Sequence, residues 1–154
     1  MAAAKVKGIQ SQNIVATVKH FACNNKETNR HRSDSIVSER ALREIYLKGF
    51  EICVKEAKPQ MIMTAYNLLN GIYTSENAEL LIGILRNEWG YQGMITTDWA
   101  NLANHSAEVM AGNDIRMPEG ASWLLKQSLE EKKLTREELC ACVKRILEMI
   151  LWLD

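Results

Sequence analysis

"GMITTDW", residues 93–99, is the stretch on which the reading of this sequence turns. Gly93 ends the pattern before it, and Met94 to Thr97 supply apolar and β-branched side chains suited to a short buried strand. The run then closes on Asp98 with Trp99 beside it. An aspartate in that place either caps a following helix or is a carboxylate displayed for chemistry.

Working outward, the same kind of ending recurs. "NIVATVKHF" (13–21) and "QMIMTAY" (60–66) read as two more short apolar strands, finishing at Lys19-His20 and at Tyr66. "NDIRMP" (113–118) is a weaker fourth, closed by Pro118. Between the strands the period changes. Leu42, Ile45, Tyr46, Gly49, Phe50, Cys53 and Ala57 recur at three- and four-residue steps, which predicts a helix from N-cap Ser38 to just before Pro59. Asn77 is placed to cap a second helix carrying Leu80, Leu81, Ile84, Leu85 and Trp89, broken by "GYQG" (90–93). Residues 2–12 are Ala-rich and helical. The tail predicts a helix over 123–129, then a capping box Thr135-x-x-Glu138 opening a helix through Trp152. Residues 23–37 and 67–76 read as loops, the second turning at Asn70-Gly71.

Strand and helix alternating every ~30–45 residues predict a parallel sheet of βαβ units. No G-x-G-x-x-G occurs, so nothing marks a dinucleotide-binding loop. Lys19-His20, Tyr66-Asn67, Asp98-Trp99 and Asp114 to Met117 are all expected at strand ends, where a (β/α)8 barrel gathers its active site. A whole barrel needs about 250 residues, and four strands are found in 154. The predicted fold is therefore α/β, with residues 1–154 supplying parallel βα units that form about half of a TIM-like (β/α)8 barrel.

Lys+Arg and Asp+Glu both number 19, so the formal net charge is zero and nothing points to a nucleic-acid or membrane-surface partner. No segment approaches the roughly 20 apolar residues of a membrane span. "MAAAKVKGIQSQN" has no apolar signal-peptide core, and Cys23, Cys53, Cys140 and Cys142 form no C-x-x-C pair. Reduced, mostly buried thiols are expected, which tilts the compartment toward the cytoplasm; no metal site and no cofactor are expected.

The strand-end residues each admit two readings. Lys19 and His20 can donate hydrogen bonds to neutral hydroxyls, or be a solvated lysine and a histidine bonded into the wall. Met63 and Tyr66 can line an apolar pocket with one polar handle, or simply fill a core. Asp98 can be a nucleophile, base or metal ligand, and Trp99 a flat platform for the C–H face of a sugar ring. "EEKKLTREE" (130–138) reads as a solvated helix end, and His31 and His105 as surface or loop residues.

Taken together, "VKHFACNNKETNR" (18–30), "SERALREIYLKGFE" (38–51), "MIMTAYNLLNG" (61–71), "SENAELLIGILRNEWGYQGMITTDWA" (75–100) and "AGNDIRMP" (111–118) closely resemble the catalytic barrel of glycoside hydrolase family 3, in its β-glucosidase-like branch. The resemblance covers roughly residues 5–118. It implies that Asp98, in an S/T-D-W motif, is the nucleophile. It also implies that Lys19 and His20 bind hydroxyls of the sugar at the cleavage point, that Met63 and Tyr66 line that subsite, and that Trp99 stacks on the substrate. The activity implied is a retaining, exo-acting β-glycosidase removing terminal β-D-glucosyl or related residues through a covalent glycosyl-Asp intermediate. A second carboxylic acid is then expected about 5 Å from the first, and donors such as Lys19 and Tyr66 should keep Asp98 ionised. The family's upstream barrel half and its second α/β domain, which usually carries the acid/base glutamate, lie outside these residues. Both become expected partners, in cis or in trans, beside the carbohydrate substrate. The alternative is a non-catalytic half-barrel that needs a partner chain. A β-xylosidase or a β-N-acetylglucosaminidase of the same family is also conceivable, but the latter branch has Lys-His-Phe-Pro-Gly-His-Gly where this chain has "KHFACNN". A half-barrel has free strand edges, so the isolated chain is expected to self-associate, with "IVATV" as one edge.

Overall fold

The computed structural model describes residues 1–154. Helix α1 (Ala2–Gln10) leads into strand β1 (Thr17–Phe21), and a long loop carries the chain to the two-residue strand β2 (Asp34–Ser35). Helix α2 (Glu39–Ala41), a π-helical segment (Leu42–Tyr46) and α3 (Lys48–Ala57) follow in succession. Strand β3 (Met61–Thr64) precedes a hairpin of β4 (Leu68–Leu69) and β5 (Ile72–Tyr73). A 3-10 turn (Thr74–Glu76) and a second π-helical segment (Glu79–Glu88) lead to β6 (Met94–Trp99). The chain finishes with α4 (His105–Met110), β7 (Ile115–Met117), α5 (Ser122–Glu130) and α6 (Arg136–Leu153).

Local chemistry starts and stops these elements as the sequence predicts. Ser38 Oγ accepts from the Ala41 amide at 3.3 Å, and Lys58 closes α3 in the left-handed region at φ +47° before Pro59. Asn77 Oδ1 accepts from the Leu80 amide at 3.0 Å. Thr135 and Glu138 form the reciprocal capping box of α6. At Asn70-Gly71 both φ angles are positive, +50° and +87°, as a two-residue hairpin turn requires.

Strands β1, β3, β6 and β7 pair in that order, every neighbour parallel. Strands that follow one another across the sheet in chain order, joined by helical crossovers, are the βα units of a TIM-like barrel, here about half of one. Helices cover one face. Phe21, Ile62 and Ile95 point into it and pack with Leu47, Val54, Leu80, Leu81 and Leu85 in one buried core. Phe21 meets Phe50 and Trp89 edge-on, with ring centroids 5.0 and 6.0 Å apart. The other face is open over β1 and β3, where Thr17 is exposed and Met61 and Met63 are half-buried, while Met94 and Thr96 of β6 are buried.

Three features differ from expectation. Strand β1 starts at Thr17 rather than at residue 13, because Asn13 turns through φ +54° and Ile14 is left exposed. The two polar loops assemble a small sheet, β2-β4-β5, from strands too short to show any periodicity. Residues 100–112, given no element by the apolar pattern, contain α4, capped by Asn104, whose side chain accepts from the Ser106 and Ala107 amides. No helix is long and apolar enough to cross a membrane.

Candidate active site

His20 and Asp98 belong to strands that are not neighbours, since β3 lies between β1 and β6. Alternate strands of a sheet stand roughly 10 Å apart, yet His20 Nε2 and Asp98 Oδ2 are 3.3 Å apart. Irregularities in the two strands allow this. Between Val18 and Phe21, β1 spends three steps where β3 spends two, and between Thr96 and Trp99, β6 does the same against β7. Each is a one-residue bulge, placed at Lys19-His20 and at Thr97-Asp98. A bulge bends the strand and re-aims its side chains. The peptide bonds Lys19–His20 and Phe21–Ala22 are cis.

The site fills in around that contact. Asp98 has a side chain 13% exposed, and its Oδ1 accepts from the Trp99 amide at 2.7 Å. Tyr66, at the end of β3, donates its hydroxyl to the Trp99 carbonyl at 2.7 Å. Burial raises the Tyr66 phenol above its usual range, with the charge of Asp98 acting the same way, so Tyr66 stays a protonated donor. Burial lowers the His20 imidazole, an effect that Lys19 and Arg30 reinforce and Asp98 opposes. His20 Nε2 thus makes a close polar approach to the Asp98 carboxylate at 3.3 Å. Met63 is half-buried on the open face, paired in register with Thr96 of β6. Lys19 is exposed beside His20, and Trp99 projects at the rim, 57% exposed.

Arg30, which sequence reasoning passed over, and His31, read there as a surface or loop residue, stand at this site. The guanidinium of Arg30 lies 4.6 Å from the Tyr66 ring centroid, while Arg30 pairs with Glu27 at 2.8 Å. The His31 ring sits 4.0 Å from the same tyrosine, so His31 is half-buried against the site and is no plain surface residue. The Glu27/Arg30 spacing of one helical turn inside an otherwise polar loop was the available signal. His105 is also half-buried, its Nδ1 accepting from the Ala121 amide at 2.9 Å. The loops are tied together by Asn67, which is buried and donates to the Ala22 carbonyl at 3.2 Å and the Leu68 carbonyl at 2.9 Å.

Asp114 requires a correction. It precedes β7 instead of ending it, at the edge of the sheet away from Asp98. Its carboxylate is fully buried and accepts from Arg145 Nε at 2.6 Å, the Ile95 amide at 2.7 Å and Arg86 Nη2 at 3.0 Å. Burial raises its pKa and the two guanidiniums oppose the rise. It is a structural brace; of that segment only Met117, paired with Trp99, reaches the site edge.

A parallel βα sheet presenting an aspartate, a histidine, a tyrosine and a tryptophan at its C-terminal edge has the form of a TIM-like barrel's active-site face, and this chain belongs to glycosyl hydrolase family 3, whose N-terminal domain model matches residues 1–149. Among individual relatives, it is 54% identical over 138 residues to the beta-glucosidase A of Butyrivibrio fibrisolvens, a match covering 90% of this chain and 17% of that protein. It is 47% identical over 150 residues to the beta-glucosidase of Kluyveromyces marxianus, covering 94% and 18%. Its fold superposes on beta-glucosidase 3B from Thermotoga neapolitana, solved in complex with glucose, with a TM-score of 0.92 and 46% identity, covering 97% of this chain and 22% of that one. The chain thus spans about a fifth of the length of these relatives.

Proposed function

We propose that residues 1–154 form a partial catalytic barrel domain of a retaining, exo-acting β-glycosidase, with terminal β-D-glucosyl or closely related residues as substrate. The observation that carries the reading is the convergence of His20 and Asp98 across β3 at 3.3 Å, made possible by a bulge in each strand. Asp98 is the nucleophile: with one oxygen held by the Trp99 amide and the other 3.3 Å from His20 Nε2, it attacks the anomeric carbon as the glycosidic bond to the leaving oxygen breaks, giving a glycosyl-Asp98 ester. Water then cleaves that ester and the carboxylate is restored. Lys19 and His20 hold ring hydroxyls, Met63 and Tyr66 line the subsite, and Trp99 stacks on the sugar. A second carboxylic acid protonates the leaving oxygen; it and the remaining barrel strands come from polypeptide outside these 154 residues, in cis or in trans.

Support comes from the names of the relatives, which are beta-glucosidases, and from the glucose bound in solved neighbours. The test grafts residues 1–154 in place of the matching segment of the Butyrivibrio protein. The graft should hydrolyse an aryl β-glucoside, and a 2-deoxy-2-fluoro-glucoside should label Asp98, as seen by peptide mass mapping. Label on another residue, or full turnover after Asp98→Asn, overturns the assignment.

A further inference from the structure

The exposed indole of Trp99 stands at the last residue of β6, paired with Met117 of β7, where the strand gives way to the backbone of residues 100–104. That backbone turns through Ala100 at φ +54°, a left-handed conformation that costs a residue with a Cβ about 1 kcal/mol. Such strain persists where the surroundings over-determine it. Here they do, and the source is a buried ion pair beneath the loop. Glu108 of α4 is fully buried; its Oε1 accepts from Asn101 Nδ2 at 2.6 Å and Ser75 Oγ at 2.9 Å, and its Oε2 from Arg116 Nη1 at 3.0 Å. Arg116, on β7 and 17% exposed, also donates to the carbonyls of Ala103 at 2.8 Å and Asn101 at 3.1 Å. The Ala100 amide is taken by the Met117 carbonyl at 2.8 Å, and the Asn104 amide by Glu76.

From these contacts we infer that Arg116 and Glu108 are positioning residues for the substrate platform: the guanidinium fork, fixed by the buried carboxylate, clamps two carbonyls of the 99–104 loop and thereby sets the indole of Trp99 beside Asp98. Neither residue touches the sugar. The geometry suits an arginine, because its two terminal nitrogens divide the acceptors, Nη1 serving Glu108 and the Ala103 carbonyl and Nη2 the Asn101 carbonyl; a lysine keeps the charge but brings it to a single point. Every partner in the clamp belongs to residues 75–117 of this chain.

The inference rests on the proposed function for its consequence, not for its geometry, and one experiment separates the two. Arg116→Lys and Trp99→Ala are made singly and together in the graft described above, and kcat/KM is measured on cellobiose. Arg116→Lys should lower kcat/KM by ~10- to 100-fold when Trp99 is present, the scale of an ångström-sized displacement, and by less than ~2-fold when it is alanine. Equal falls in both backgrounds, or no fall in either, overturn the inference, because a residue that only supports the fold acts whether or not the indole is there. Glu108→Gln repeats the cycle should Arg116→Lys fail to fold. Crystal structures of the graft and its Arg116→Lys variant give a readout independent of turnover: the Trp99 ring should shift with residues 101–103, and an unmoved ring counts against the clamp. If the unmutated graft has no β-glucosidase activity, the functional reading fails while the crystallographic comparison still decides this one.

Discussion

Replacing Asp114 with asparagine tests whether this carboxylate is a structural brace. The side chain is 0% exposed, with Arg86 and Arg145 only 12% and 19% exposed. Removing one partner of a buried ion pair costs about 3–5 kcal/mol, because the remaining charge is left uncompensated. Asparagine keeps a carbonyl oxygen for the Ile95 amide, which places the loss near the lower end, about 3 kcal/mol. In a domain of this size that corresponds to a Tm lower by about 6–12 °C. The control is the Arg40–Glu44 pair, whose side chains are 84% and 61% exposed; Arg40→Ala should cost under ~1 kcal/mol. Urea unfolding of the chain at low micromolar concentration, followed by tryptophan fluorescence and circular dichroism, measures both. A loss for Asp114→Asn no larger than that for Arg40→Ala would refute the argument that burial, and not pairing as such, makes this contact strong.

His20 makes a pH-dependent contribution. Its folded pKa lies below the ordinary 6.5, chiefly through burial, so between that lower value and 6.5 the unfolded chain binds more protons than the folded one. Stability should therefore fall as pH drops below about 6.5, the ordinary histidine value, and His20→Asn should flatten that slope; an unchanged slope means another group is responsible. Ala100→Gly relieves the left-handed strain and should raise the unfolding free energy by about 0.5–1 kcal/mol, with a decrease counting against the conformation. The open sheet face and the free edges of β1 and β7 should make the isolated chain self-associate with rising concentration. Sedimentation velocity should show this, and Thr17→Lys on the exposed edge should weaken it; a concentration-independent monomer would contradict the prediction.

Much of this protein was legible in its residues. Helices were announced by apolar steps of three and four and by side chains that cap backbone amides within a turn: Ser38, Asn77, and Thr135 with Glu138. Strands showed as short apolar runs, their parallel order followed from the helical crossovers, and the motifs at their ends carried the family. All of this is information held within a few residues, where spacing alone sets which groups meet. The tertiary structure decided what depends on distant segments. It placed the bulges that let His20 and Asp98 meet across β3, the packing of Arg30 and His31 against Tyr66, and the small sheet made from two polar loops. It also moved Asp114 from the expected strand end to a buried brace ahead of β7 and joined Glu108 to Arg116 under the Trp99 loop. A lone acidic residue looks the same in sequence wherever it ends up. Whether it is a brace or a displayed carboxylate depends on which cations and amides the fold brings to it.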